Sequence, residues 1–318
     1  MTPQLSVILP TDTVETSAAV LARLRAQTIA KKIEVILIVP NGTGASVQID
    51  DKFFAAVRVV EIASLSPLGA ARALGVRSAR APWIFIGETH SYFHRDTAEK
   101  FLAAAEGGPW CTIVPGFLNG NPTSVFSWAS FLGDYGRWSA WLPAGEIEDT
   151  PLYNALHRRE VLLALDERLG QMLSHGDELS LALESRGERA YFEPAACVDH
   201  INIDAFFASM RERFLAGRLI GSQRVERWSW SRRLAYIFGA PLIPFVLTWR
   251  VWPGVRQTAQ AQKVPIGTLP VILLLNFAKV AGEVMSYAFG RSSEHSAAMD
   301  HCEIHKLEYL TSIRIRRS

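Results

Sequence analysis

The sequence predicts an α/β fold, a mostly parallel sheet with flanking helices, followed by C-terminal apolar or amphipathic helices. Short β-rich runs alternate with helical patterns through the first 115 residues. The run Ile33–Val39 is almost entirely aliphatic, which is typical of a strand covered on both faces. This alternation favours right-handed crossovers between parallel strands. After His200 the composition shifts to arginine, tryptophan and long apolar runs, which predicts a separate helical region.

Each element has its own pattern. The predicted strands are Leu5–Leu9, Ile33–Val39, Val57–Ile62, Trp83–Ile86, Thr112–Val114 and Ala190–Phe192. The predicted helices are Val14–Gln27, Pro67–Ala79, Thr97–Ala105, His157–Leu165 and Asp177–Arg186. Residues 115–151 show no clear period, and we expect an irregular insertion there. Apolar helices are expected within Leu234–Trp249 and Thr268–Phe289.

Composition excludes some classes of protein. The 33 Lys+Arg residues against 31 Asp+Glu leave a net charge of +2, which argues against a nucleic-acid binder. The three cysteines lie far apart, so they form neither a disulfide framework nor a metal clip, and a reducing compartment is expected. The first apolar run is too short for a secretory signal. We therefore expect the bulk of the chain in the cytosol.

The region after His200 indicates membrane association. Seven arginines lie between Arg211 and Arg233, with Trp228 and Trp230 among them. Arginines beside tryptophans next to apolar helices fit a membrane interface. We predict a domain at 1–202, a membrane-associating helical region at 203–290 and a polar, basic tail at 291–318. The alternative is a helix pair packed on the core or on a second subunit. Whether the helices span or lie on the membrane stays open.

Candidate site residues follow the ends of predicted strands, where ligands bind in such sheets. Glu88 and His90 come two residues apart after Trp83–Ile86, so both side chains can face one divalent ion. The alternative is a solvated turn. Asp177 and Glu178 open a helix, where an acidic residue is either an N-cap or a general base. His200 is either a core histidine or a functional one.

These pieces together resemble glycosyltransferase family 2. The similar segments are Leu5–Thr11, the helix ending in Ala26-Gln27-Thr28, Glu34–Thr43, Gly69–Gly75, Ile84–His90, Gly176-Asp177-Glu178 and Val198-Asp199-His200. A subgroup with Glu-x-His in place of Asp-x-Asp looks most similar, on Asn119–Pro122, Ser127–Ala129 and Asp134–Gly136. Members with C-terminal apolar helices are similar at Gly217-Arg218, Pro241, Pro244 and Gly282–Gly290.

The resemblance implies a GT-A sheet and an inverting transfer of sugar from a nucleotide sugar to an acceptor hydroxyl. The apolar helices favour a lipid-linked or cell-surface glycan acceptor, in polysaccharide biosynthesis, because they would hold the cleft near a bilayer. It implies Glu178 as the base, with Asp177 beside it. Donor-binding residues would be Thr11, Asn41, Arg72 and Glu88. Glu88, His90 and His200 would hold a divalent metal, Mn²⁺ or Mg²⁺. The expected location is the cytoplasmic face of the cell membrane.

Three departures from the family pattern leave an alternative open. Pro40-Asn41 replaces two aspartates, Gly87-Glu88-Thr89 lacks an acidic pair, and Ala73 replaces an asparagine. Pro40 has neither a carboxylate nor a backbone N–H to offer a nucleoside. The alternative is therefore a catalytically silent relative that binds a nucleotide sugar or a glycan, or that acts as a scaffold.

Overall fold

A computed structural model describes residues 2–44, 51–174 and 178–311. The chain divides into two compact units, which are described separately. The first comprises residues 1–118 and 143–199, and the second 119–142 and 200–317, as far as these are described. Residues 119–142, which the predicted first domain includes, thus belong with the C-terminal helices.

The first unit is built on a central sheet. Its strands are β1 (Leu5–Pro10), β2 (Ile33–Pro40), β3 (Ala56–Ile62), β4 (Trp83–Ile86), β5 (Ser91–Phe93), β6 (Trp110–Asn119), β7 (Gly145–Ile147), β8 (Leu156–Arg158) and β9 (Arg189–His200). Within the described residues the strand order is β3-β2-β1-β4-β8-β6-β9-β5, with β7 paired to β9. Strands β1 to β4 pair in parallel, and β8 is antiparallel to β4 and β6. The predicted fold class is confirmed.

Two strands, β6 and β9, extend past the bounds that the sequence predicts. The last residue of each, Asn119 and His200, is the point where the chain passes from the first unit into the second.

The first unit also contains the helices predicted between strands, together with one short helix, Leu169–Met172, that the sequence does not predict. They are α1 (Val14–Arg25), α2 (Leu68–Ser78), α3 (Thr97–Glu106), α5 (Arg159–Leu163), α6 (Leu169–Met172) and α7 (Glu178–Glu184). Helix α1 begins where the Thr13 side chain accepts a hydrogen bond from the Thr16 N–H. The predicted helix His157–Leu165 is only partly right, because its first residues form β8 and pair with β4.

Strand β8 brings one histidine into the core. The Nδ1 atom of His157 lies 3.0 Å from Oγ1 of Thr112 on β6. Burial lowers the pKa of His157 to about 4, because the charged imidazolium would lose its hydration inside the sheet. His157 is therefore neutral at neutral pH.

The second unit is helical. Its helices are α4 (Val125–Asp134), α8 (Phe206–Val225), α9 (Trp230–Gly239), α10 (Ile243–Ala261), α11 (Thr268–Phe289) and α12 (Ser293–Ile304). The prediction of an irregular insertion over 115–151 is wrong for 125–134, where α4 forms. The predicted tail contains α12, which buries Met299 and Cys302.

Close packing of α8 against α11 depends on small residues. A Cβ on Gly217 would collide with the backbone oxygen of Lys279, and a Cβ on Gly282 with that of Phe214. A Cβ on Gly221 would lie 2.7 Å from Cβ of Ser286. These three glycines let the two backbones approach to a distance that any side chain would prevent.

Ion pairs add to the contact between α8 and its neighbours. Glu283 of α11 accepts a hydrogen bond of 2.6 Å from Arg224 of α8, and Tyr287 donates to the same carboxylate at 3.0 Å. Arg213 of α8 pairs with Asp134 at the end of α4, with an Nη2–Oδ2 distance of 2.6 Å. The Arg213 guanidinium lowers the pKa of Asp134 against the opposing effect of burial. Helix α8 is thus a charged helix inside the unit.

Membrane-span criteria apply to two parts of this unit. Among the residues that the structure describes, one helix, α11, is long and apolar enough by itself to cross a bilayer. Helices α9 and α10 pass the same length and composition test only as a pair, and they are bent by 74° at the break between them.

Candidate functional site

The loop after β4 holds a buried carboxylate, Glu88. Its Oε2 atom accepts hydrogen bonds from Oγ of Ser91 at 3.1 Å and from Nδ2 of Asn154 at 2.6 Å. Asn154 has a left-handed backbone (φ 58°), and its own N–H donates to the oxygen of Ile86, the last residue of β4. These contacts fix the Glu88 carboxylate at the end of the strand.

Two histidines complete the group. His90 is fully buried, and its Nε2 atom lies 3.3 Å from Oε2 of Glu88. His200 ends β9 and is also buried. One ligand atom from each of Glu88, His90 and His200 lies within 4.8 Å of the other two. The three residues that the sequence nominates for a metal therefore form one group.

The chemistry of this group fits a divalent cation. One carboxylate oxygen and two imidazole nitrogens suit Mn²⁺ or a similar ion better than Mg²⁺, which prefers oxygen ligands. The group is enclosed, since Glu88, His90 and His200 are each no more than 6% exposed. Burying a carboxylate is costly without a compensating positive charge, which a cation supplies.

The hydrogen bonds of His200 determine which ring nitrogen can bind a cation. Its Nδ1 atom lies 2.8 Å from Oδ1 of Asn202. The Nδ2 atom of Asn202 donates to Oδ1 of Asn119 at 3.1 Å and to the oxygen of His200 at 2.9 Å. Because these contacts fix the amide orientation, Oδ1 of Asn202 accepts the Nδ1 proton. The lone pair of the neutral imidazole is then on Nε2, as metal-binding histidines require.

Glu178, the predicted base, begins α7 and is buried. Residues 150–154 connect its surroundings with those of Glu88. The Thr150 N–H donates to Oγ of Ser180 on α7, and Asn154 donates to Glu88. An extended chain between Thr150 and Asn154 covers at most about 14 Å. Because this short segment contacts α7 at one end and Glu88 at the other, α7 and Glu88 lie near each other in the first unit. Asp177 lies outside the described residues.

The predicted donor-binding residues occupy different positions. Thr11 and Asn41 follow the neighbouring parallel strands β1 and β2, so they share one edge of the sheet. Thr11 is buried and Asn41 is exposed. The Arg72 side chain is buried in α2, stacks on Tyr153 at 3.9 Å and donates to the oxygens of Leu173 and Ser174. Arg72 therefore holds the backbone that leads to α7, and its contact with a donor stays a prediction.

The sequence did not reveal the residues that support the group. Asn154, Ser91 and Asn202 orient Glu88 and His200, and of these only Asn154 lies far along the chain from the residues that the motifs single out. Asn154 is 66 residues from Glu88 along the chain. The local feature that distinguishes Asn154 is its left-handed backbone, which is visible only in the structure.

No protein-family model matches the chain, and no curated protein matches it in sequence. Solved structures similar to it include crystal structures of S. aureus TarS. The 1–349 segment of TarS in complex with UDP is 14% identical with a TM-score of 0.48, over 90% of this chain and 91% of that one. The complex of the same segment with UDP-GlcNAc is 14% identical with a TM-score of 0.46, over 91% and 92%.

Proposed function

We propose that this protein is an inverting glycosyltransferase that transfers a sugar from a nucleotide-sugar donor to a hydroxyl group of a lipid-linked or cell-surface glycan acceptor, in polysaccharide biosynthesis. The observation that carries the proposal is the enclosed group of Glu88, His90 and His200 at the ends of β4 and β9. The order of the glycosyltransferase-like motifs along residues 5–202 supports it independently.

The chemistry assigns a role to each residue. Glu88, His90 and His200 would hold a divalent cation, which would supply positive charge against the leaving diphosphate. Glu178 accepts the proton of the acceptor hydroxyl as that oxygen bonds to the anomeric carbon. The bond between the anomeric carbon and the diphosphate oxygen breaks in the same step, and the nucleoside diphosphate leaves with the bonding electrons. Attack opposite to the leaving group inverts the anomeric centre.

Donor recognition in this proposal involves the edge of the sheet beside β1 and β2. Thr11 and Asn41 lie where the nucleoside would bind, and both offer hydrogen-bonding groups without charge. Pro40 provides no backbone donor, so the preferred nucleobase is an experimental question. Arg72 orders residues 173–174 just ahead of Glu178.

The second candidate function is nucleotide-sugar or glycan binding without catalysis. The departures at Pro40-Asn41, Gly87-Glu88-Thr89 and Ala73 favour it. Slow donor hydrolysis separates the two candidates, because only a catalytic site breaks the sugar–phosphate bond.

The test is a panel of nucleotide sugars with the full chain purified in detergent, with Mn²⁺ or Mg²⁺. We expect one donor to bind by calorimetry and to be hydrolysed slowly without acceptor. Binding without any hydrolysis or transfer would favour the silent relative. No binding of any donor with either metal would overturn both the transferase and the nucleotide-sugar-binding proposals.

A further inference from the structure

The helices of the second unit carry an unusual charge pattern. The 56 residues from Arg227 to Gly282 contain five arginines and two lysines but no aspartate or glutamate. The whole chain, by contrast, has 31 acidic residues against 33 basic ones. This stretch covers α9, α10 and most of α11. Any partner that binds these helices must therefore tolerate, or prefer, a surface whose charged residues are basic.

Helix α10 has an outward face that is apolar rather than polar. Its inner side buries Pro244, Thr248, Val251, Val255 and Thr258 at helical spacing. On the opposite side Phe245, Trp249 and Trp252 are 53%, 75% and 44% exposed. Arg250 and Arg256 of the same helix are also exposed. A helix that faced only water would carry polar residues there.

Helices α9 and α11 extend this face. Trp230 and Phe238 of α9 are 61% and 80% exposed, and α9 buries none of its residues. Phe277 of α11 is exposed, and its ring lies 5.7 Å from the ring of Phe245 on α10. We call the exposed side of the three helices the aromatic surface, defined by Trp230, Phe238, Phe245, Trp249, Trp252 and Phe277. Exposed aromatic side chains in this number indicate an interaction site.

Arginines accompany the tryptophans of this region. The Arg232 guanidinium lies 4.4 Å from the centroid of a Trp228 ring, and that of Arg233 lies 4.8 Å from a Trp230 ring. Indole rings prefer the headgroup depth of a bilayer, and guanidinium groups beside them contact anionic lipid headgroups. Exposed tryptophans and exposed arginines therefore occur together on these helices, as Trp230 and Arg232 do on α9.

We propose that the aromatic surface docks on an anionic lipid bilayer, with α9, α10 and α11 lying in the interface rather than crossing it. This inference rests on the second unit alone and does not depend on sugar transfer. The inner faces of the helices make polar contacts with the rest of the second unit, and a spanning arrangement would carry these polar groups into the hydrocarbon core. Glu283 of α11 is paired with Arg224, and Thr258 of α10 donates to Oγ of Ser139 at 3.0 Å.

Spanning would also carry helix α8 into hydrocarbon. Helix α8 packs along α11 through Gly217, Gly221 and Gly282, and it contains Arg213 and Arg218. Taking such a charged helix into the bilayer core is costly. In an interfacial arrangement the aromatic side chains enter the bilayer boundary, while α8 stays on the protein side.

A second copy of the chain fits the aromatic surface less well. A face-to-face dimer would place this basic stretch against itself, and like charges in an interface oppose association. An anionic bilayer offers negative headgroups to the arginines and an apolar interior to the aromatic side chains. Dimerisation is the competing explanation, so the test below also measures the oligomeric state.

The test uses the full chain with vesicles of phosphatidylcholine containing phosphatidylglycerol, and with vesicles of phosphatidylcholine alone. We expect flotation with the anionic vesicles and at least tenfold weaker binding to the neutral ones. Replacing Phe238→Ser together with Trp249→Ser should weaken binding at least about tenfold, because two large apolar groups no longer enter the lipid. Replacing Arg250→Glu together with Arg256→Glu should remove the preference for anionic vesicles.

The matched control is Phe207→Ser, since Phe207 lies on α8 outside the aromatic surface and is 83% exposed. It should leave flotation unchanged. Circular dichroism and donor binding of each variant separate a folding defect from a docking defect and keep this test apart from that of the transferase. Equal flotation of wild type and the Phe238/Trp249 variant would overturn the proposal. Wild-type protein that stays in the membrane after alkaline extraction would also overturn it, because such resistance indicates spanning. A wild-type dimer that is lost only in the Phe238/Trp249 variant would overturn it as well.

Discussion

Oδ1 of Asn202 lies 2.8 Å from Nδ1 of His200 and accepts its proton, which leaves the lone pair of the imidazole on Nε2. This relationship gives a first prediction. Asn202→Ala should weaken Mn²⁺ binding about 10- to 100-fold, because the ring can then rotate and change tautomer. Calorimetric titration with Mn²⁺ alone measures the effect without any turnover.

A matched control for this prediction is Asn276→Ala. Asn276 on α11 donates to Oγ1 of Thr248 at 3.0 Å and contacts none of the proposed ligands in any hydrogen bond found among the described residues. Its variant should bind Mn²⁺ like wild type. Equal Mn²⁺ affinity of Asn202→Ala and wild type would remove the assigned role of Asn202.

The second prediction concerns Glu178. Glu178→Gln should lower transfer about 10²- to 10⁴-fold while donor affinity stays the same, because the amide cannot accept the acceptor proton. The control is Glu184→Gln, on the exposed side of the same helix α7. Steady-state kinetics and donor calorimetry on both variants make the comparison. A parallel loss of donor affinity in Glu178→Gln would mean that Glu178 holds the donor rather than acting as the base.

The third prediction concerns pH. His157 is neutral in the fold with a pKa of about 4, whereas an unfolded histidine has a pKa of about 6.5. Protons therefore bind the unfolded chain first, and the stability due to neutral His157 is present above pH 6.5 and lost as the pH falls towards 4. The full loss is roughly 3 kcal/mol of unfolding free energy.

Urea unfolding at several pH values tests this assignment. His157→Gln should be less stable than wild type near pH 7, and the difference should shrink by roughly 3 kcal/mol by pH 4. The exposed His301 provides the control, since His301→Gln should follow the wild-type profile. A difference between His157→Gln and wild type that is independent of pH would contradict the assigned shift.

The fourth prediction concerns the approach of α8 to α11. Gly282→Ala should lower the free energy of unfolding by about 1–3 kcal/mol or more, because the new methyl group meets the backbone of α8 at Phe214. Gly133→Ala is the control, since nothing lies within 4 Å of a Cβ at this position in α4. It should stabilise the protein by about 0.5–1 kcal/mol. Thermal or urea unfolding distinguishes the two, and equal stability would show that the backbones have room to separate.

How far the sequence predicts this fold depends on the local pattern. Helix α11 is found at its predicted bounds, because a long apolar run lies between Gly267 and Gly290. Helix α4 is missed because Ser127 through Leu132 are all buried, so no polar face alternates with an apolar one. Strand β8 is only three residues long and is defined by its pairing with β4, which no local pattern reveals.

The candidate site likewise has residues that a local pattern predicts and residues that only the folded chain brings together. Glu88, His90 and His200 could be nominated because each follows or ends a strand within a family-like motif. The hydrogen bond from Asn154 depends on distant segments meeting in space, since 66 residues separate Asn154 from Glu88. Asn202 is close to His200 in the chain, but its amide donates to Asn119, which lies 83 residues away. Motif order therefore nominates candidate ligands, while the contacts that orient them come only from the folded chain.

The backbone of Asn154 has a further consequence for which residues this position tolerates. Glycine would keep the positive φ but lose the amide that holds Glu88. Aspartate would keep the turn but set a second negative charge against that carboxylate. A β-branched residue would strain the turn itself. Asparagine meets both demands, so a change here alters the carboxylate and the loop together.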